Sequence, residues 1–264
     1  MRAYETIKLE ATRAGVAVVS LDRPEKHNAF NAQVVAELAD AFENLRAETH
    51  LRMVILRGNG KSFSAGADLT WMEAAAGYTR AENEDDAFAL AEMLRALYEL
   101  PQMTLALVQG ACMGGGAGLV AACDVAVALQ TARFRFSEVR LGLTPATISP
   151  FVVQAIGARW AKALFATGEA FDAAFAYEIG LVQYVAADEA QLAGLEEHLS
   201  TLMFEAAPGA VADAKALVHD VVGAPIGKSL SHETAKRIAA RRASDEGREG
   251  LSAFLQKRAP NWAK

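Results

Sequence analysis

The chain has 264 residues, 52% of them apolar and 22% charged, with a formal net charge of −6 and two cysteines. That length fits one large domain or a core with an appendage. The acidic balance without a Lys/Arg tract argues against nucleic acid as a partner, and Cys112 and Cys123 lack metal or redox spacing, so reduced thiols in a cytoplasmic protein are expected.

The start, MRAYETIKLE, has no secretory apolar core. YETIKLE and GVAVVSLDRP are β-type runs joined at ATRAG, an opening hairpin. NAQVVAELADAFENLRA sets Val34, Val35, Leu38, Phe42 and Leu45 on one helical face behind an Asn31 cap. LRMVILRG is a buried strand ending at Gly58, and the polar, Gly-rich NGKSFSAGADL follows as a loop. TRAENEDDAFALAEMLRALYELP is a helix with acids in its first half and Pro101 just past its end. TLALVQG is a strand ending at Gly110, followed by a second Gly-rich loop, ACMGGGAG, and an apolar helix. DVAVAL is a further strand, and FRFSEVRLGL is an extended segment ending in a loop. From about residue 200 the pattern is helical and more charged. The stretch from Thr104 to Cys123 carries no charge. Its Gly-Gly-Gly break and the adjoining Asp124 make it strand, turn and buried helix, so no membrane span is expected.

Strands alternating with helices favour an α/β architecture with mostly parallel strands, whose carboxyl-end loops lie on one side. The loops after Gly58 and Gly110 are therefore expected to meet. A dinucleotide fingerprint is one reading, since Gly116-Ala117-Gly118-Leu119-Val120-Ala121 fits GxGxxA with Glu138 further on. Against it, six residues separate Gly110 from Gly116, and Glu138 lies well past the next strand. GKS at Gly60 fails as a P-loop because Ile55 stands where glycine is needed. Ser62 and Ser64 sit in no GxSxG elbow, and the five histidines show no metal spacing, so no metal site is expected. Close helix–strand packing explains one Gly-rich loop better than two. An oxyanion hole uses both: two backbone N–H groups from adjacent loops, one at a helix N-terminus, hold an oxygen that gains negative charge.

The segments LDRPEKHNAFN, GNGKSFSAGADL, GACMGGGAGLVAACDVAVA, FRFSEVRLGLTP, ATGEAFDAAFAYEIGLV and EGREGLSAFLQKRAPNW resemble, in order, the enoyl-CoA hydratase/isomerase (crotonase) superfamily. Within it, GAGLVAACD followed by SEVRLGLTPATISPFVVQAIG is most similar to bacterial 3-methylglutaconyl-CoA hydratases and their branched-chain relatives. The resemblance implies an α/β crotonase spiral of ββα units over residues 1–200. It implies a C-terminal helical oligomerisation region over 201–264, packing as a homotrimer or as a hexamer of two trimers. The implied activity is addition of water to a 2-enoyl-CoA thioester, including a branched or glutaconyl type, with CoA as part of the substrate and no other cofactor.

By position, the resemblance places the oxyanion donors at Ala67 and Gly115 and a catalytic glutamate at Glu138. The superfamily's other hydratase glutamate falls at Gly118, which is expected to make room for a bulkier acyl group. A single glutamate also suits a Δ3,Δ2-enoyl-CoA isomerase, and a non-catalytic acyl-CoA-binding protein is the reading from another class. Lys26, Ala65, Gly66, Gly114, Phe254 and Lys257 are implied to meet the CoA ester, while Asp68 serves as a loop cap beside the site. Trp71, Met72 and Tyr78 suit either an acyl pocket or the core, and Arg80 and Arg140 are candidate cations for a substrate with a second carboxylate.

Overall fold

The computed structural model describes residues 3–263. In chain order its strands are β1 (Ile7–Arg13), β2 (Val16–Leu21), β3 (Met53–Gly58), β4 (Met103–Val108), β5 (Ala111–Met113), β6 (Val125–Leu129), β7 (Arg133–Arg135), β8 (Ala170–Asp172) and β9 (Tyr184–Ala186). The helices are α1 (Ala32–Arg46), α2 (Leu69–Ala75), α3 (Arg80–Tyr98), α4 (Gly115–Ala122), α5 (Ser149–Thr167), α6 (Ala173–Glu178), α7 (Glu189–Glu205), α8 (Pro208–Val221), α9 (Lys228–Ala243) and α10 (Asp245–Leu255).

β1 and β2 form the expected antiparallel hairpin. From β2 onward the main sheet is parallel, in the order β1-β2-β3-β4-β6-β9, and a second sheet runs β5-β7-β8. β2, β3 and β4 are near-continuous apolar runs because both faces of the main sheet are covered. One face packs Val19, Val54, Leu56 and Ala106 against Leu38 and Phe42 of α1 and Leu94 and Leu97 of α3. The other packs Val18, Ile55, Leu105 and Val127 against Leu192, Leu195 and Leu199 of α7.

The expected Asn31 cap forms, and a second cap stands at the start of α3. Asn31 Oδ1 accepts from the Val34 N–H at 2.9 Å, and Thr79 and Glu82 form a reciprocal capping box on α3. Two boundaries move. Glu138 does not lie in an extended segment: after the short β7 it opens a 3₁₀ turn, Glu138–Leu141. The terminal helices begin at Glu189, so residue 200 falls inside α7, whose apolar side covers the main sheet. Among the described residues, no helix is long and apolar enough to cross a membrane.

A polar clasp ties α8 to the sheet. Lys215 Nζ donates to the Leu100 and Gln102 carbonyls, each at 2.6 Å, and pairs with Asp124 at 2.6 Å. Asp124 also accepts from the Thr104 N–H and hydroxyl at 2.7 and 2.9 Å. The Lys215 and Asp124 side chains are only 13% and 23% exposed, so removing the cation strands a carboxylate and two carbonyls. Lys215→Ala is expected to lower unfolding stability by about 2–4 kcal/mol. Urea unfolding checks this; a change below about 0.5 kcal/mol, the ordinary scale for an uninvolved surface position, would contradict the clasp.

Candidate active site

The loops after β3 and β4 meet, as parallel strands ending on one side require. The Phe63 and Ser64 N–H groups donate to the Gln109 and Ala111 carbonyls at 2.8 and 3.0 Å, and Met113 N–H returns a bond to Ser64 at 2.9 Å. On its other edge the same segment pairs with residues 27–30. Ala65 N–H donates to His27 O at 2.9 Å, Phe30 N–H to Gly66 O at 2.7 Å, and Asp68 N–H to Phe30 O at 2.7 Å. This alternation leaves the Ala67 N–H without an acceptor among the described residues. Gly115, first residue of α4, is likewise without one, because helix geometry gives its N–H no intrahelical partner.

The glycines bring these groups together. Gly114 has φ +50, and a Cβ built there would lie 3.9 Å from Gly66 Cα and 3.3 Å from Glu138 Oε1. A Cβ on Gly116 would lie 2.7 Å from Ser64 Cβ, so α4 can seat against the loop only without a side chain there. Both Gly-rich segments and Glu138 thus converge on one place.

A network beneath the loop holds it. Arg23 donates to Asp68 at 2.8 Å and to Ala29 O at 2.6 Å, while Asp68 caps α2 through Thr70 N–H at 2.9 Å. The hydrogen bond from Arg23 holds the Asp68 carboxyl below the ordinary carboxylate range. Asn28 accepts from the Arg23 N–H and donates to Asn59 O and Ser62 O, and Ser64 Oγ donates to Asn28 O at 2.8 Å. Reading the sequence missed Arg23, Asn28 and Ser64. They stand inside DRPEKHN and SFSAGAD, but nothing in either string says which residues of the other it grips.

Glu138 Oε2 is buried and has no hydrogen-bond partner among the described residues. Burial pushes its carboxyl above the ordinary glutamate value of 4.5. It faces a cavity of about 550 Å³ whose wall includes Ala65, Gly66, Ala67, Gly114 and Gly115. Trp71, Met72, Leu90, Leu141, Leu143 and Ile148 supply apolar surface, and Asp86 lies on the same wall, its Oδ1 accepting from Trp71 Nε1 at 3.2 Å. This arrangement can receive an oxygen that becomes negative and move a proton beside it.

Other expected site residues are placed elsewhere. Asp68 lies behind the cavity as cap and ion-pair partner. Lys26 is exposed on the 3₁₀ turn Pro24–Lys26, one residue before the His27 carbonyl that holds Ala65. Tyr78 is not on the wall. Gly118 corrects an expectation. It does not line the cavity, and a Cβ there would fall 2.4 Å from Ile148 Cγ2. Its missing side chain admits buried Ile148, not an acyl group. Phe254 is 80% exposed on α10, with Lys257 just beyond it, and neither lines the cavity of its own chain, because α10 packs on α9. Arg80 is exposed in a pair with Glu84, Arg140 is exposed with its Nε on Gly168 O, and neither lines the cavity.

The family model for enoyl-CoA hydratase/isomerase matches residues 11–264. The chain belongs to the enoyl-CoA hydratase/isomerase family. An enoyl-CoA hydratase of Shewanella pealeana has a crystal structure similar to this chain at TM-score 0.94 and 37% identity, covering 98% of this chain and 96% of that one. An enoyl-CoA hydratase/isomerase of Marinobacter aquaeolei is similar at TM-score 0.92 and 36% identity, covering 98% and 99%. The enoyl-CoA hydratase AFT6-1 of Alternaria alternata is 34% identical over 215 residues, 81% of this chain and 68% of that protein. The family's crotonase fold is the expected one.

Proposed function

We propose that this family member adds water to a 2-enoyl-CoA thioester. The thioester oxygen lies between the Ala67 and Gly115 N–H groups, which gain strength as the oxygen becomes an enolate. Glu138 takes a proton from water as the water oxygen bonds to carbon 3, the C2=C3 electron pair moves towards the carbonyl, and the same carboxyl returns the proton to carbon 2. Water's two hydrogens end on the new hydroxyl and on carbon 2. CoA is part of the substrate, and these steps call for no other cofactor. The observation that carries this reading is the unpartnered Glu138 Oε2 on the same cavity as two unengaged N–H donors.

Isomerisation of a 3-enoyl-CoA is the second reading. It is favoured by the packing of Ile148 against Gly118, which leaves Glu138 without a neighbouring carboxylate from α4. A methyl branch on the acyl group suits the apolar wall; a carboxylate at its end does not. The exposed Leu251, Phe254 and Leu255 on α10 support a trimer or hexamer built on the terminal helices, and the free thiols Cys112 and Cys123 support a cytoplasmic setting.

The deciding assay follows enoyl-thioester absorbance with crotonyl-CoA, 3-methylcrotonyl-CoA and a 3-enoyl-CoA, with products weighed by mass spectrometry. Absorbance lost with a gain of one water is the expected result. Absorbance gained from the 3-enoyl ester at constant mass would make the enzyme an isomerase. CoA esters bound but unchanged would make the chain a binding protein.

A further inference from the structure

We propose that Asp86 sets the charge class of the acyl tail: the site takes uncharged tails, best with a terminal hydrogen-bond donor, and rejects tails that end in a carboxylate. This rests on the cavity being an acyl-CoA site.

Asp86 stands on α3, against Trp71 of α2, on the same cavity wall as Glu138. The indole N–H occupies Oδ1 and fixes the carboxylate's direction, while Oδ2 has no partner among the described residues. Among the described residues, no Lys, Arg or His lines this cavity. Arg23 is held by Asp68 and Ala29 O, while Lys26, Arg80 and Arg140 are exposed and lie off the cavity lining. An acyl tail leaving the Ala67/Gly115 end therefore passes apolar side chains and meets an acceptor with a vacant oxygen. A hydroxyl or amide N–H on the tail can donate to it. A second carboxylate meets like charge with no counter-ion, a juxtaposition that interfaces use to exclude wrong partners. The glutaconyl-type tail expected from the sequence is therefore the one this wall disfavours.

The test measures Kd, so it does not depend on turnover. Calorimetry compares pentanoyl-, 5-hydroxypentanoyl- and glutaryl-CoA, then the corresponding six-carbon set, on the full chain and on Asp86→Asn. That variant keeps an oxygen for the Trp71 N–H and nearly the same shape. The unchanged protein is expected to bind the dicarboxylic ester about tenfold or more weaker than its uncharged counterpart at low salt, and the hydroxylated ester at least as tightly as the plain one. Asp86→Asn is expected to bring the carboxylate-to-methyl ratio within about threefold of unity. A wild-type ratio near one at both lengths, or a ratio that Asp86→Asn does not move, overturns the proposal. The expected ratios without hydration or isomerisation would overturn the catalytic reading alone, and failure of every ester to bind would overturn both.

Discussion

Glu138→Gln is expected to lower kcat for 2-enoyl-CoA hydration by ~10²–10⁴, the usual contribution of general acid–base help. Glutamine keeps the size of the side chain but can neither accept water's proton nor return one to carbon 2. The Ala67 and Gly115 donors are untouched, so Kd for a saturated acyl-CoA is expected to stay within about threefold. Wild-type turnover in this variant would remove Glu138 from the mechanism.

The pH dependence carries a sign. Burial raises the folded-state value of this carboxyl above the ordinary 4.5, and the base form is required for attack. The acid limb of kcat/KM should therefore lie above 4.5 and vanish in Glu138→Gln. The same shift bears on stability. Between the unfolded and folded values the folded chain holds the extra proton, so wild-type stability falls as pH rises through that window. The glutamine variant is expected to melt higher than wild type above it, and level with wild type well below 4.5. An acid limb at or below 4.5, or a variant that melts lower at neutral pH, would show that the carboxyl is not desolvated in solution.

Gly118→Glu is expected to destabilise the fold by roughly 3 kcal/mol or more rather than to narrow the range of substrates. A Cβ at 118 falls 2.4 Å from Ile148 Cγ2, and Ile148 and Leu94 are both fully buried. The variant combines overpacking with a carboxylate in apolar surroundings. Its partner predicts the remedy. Gly118→Glu with Ile148→Ala is expected to recover at least half of the loss, because Ile148 both fills the space over Gly118 and lines the cavity. Thermal melts of both variants decide this. A single variant as stable as wild type, or a double variant no better than the single, would refute the account of Gly118 as a packing position.

Much of the architecture is legible in the sequence because its causes are local. The Asn31 cap and the apolar strands β2, β3 and β4 depend on residues within a turn or a strand of one another. Parallel order then predicts that the loops after β3 and β4 share one side, and the two Gly-rich strings supply the close approach. Where a property depended on which side chain arrives from far along the chain, the sequence was silent. Thirty positions separate Gly118 from Ile148, and nothing near either one states that the isoleucine fills the glycine's place. Asp124, Thr104 and Lys215 form one clasp, although each alone reads as an ordinary polar residue. Asp86 was one acid among several at the start of α3 until the packing of α2 set Trp71 against it at the cavity. The physical reason is range. Hydrogen-bonded turns and periodic burial are written in neighbouring residues, whereas the solvation of Glu138 and the charge of the cavity wall are set by groups that meet only once the sheet and its helices have closed around them.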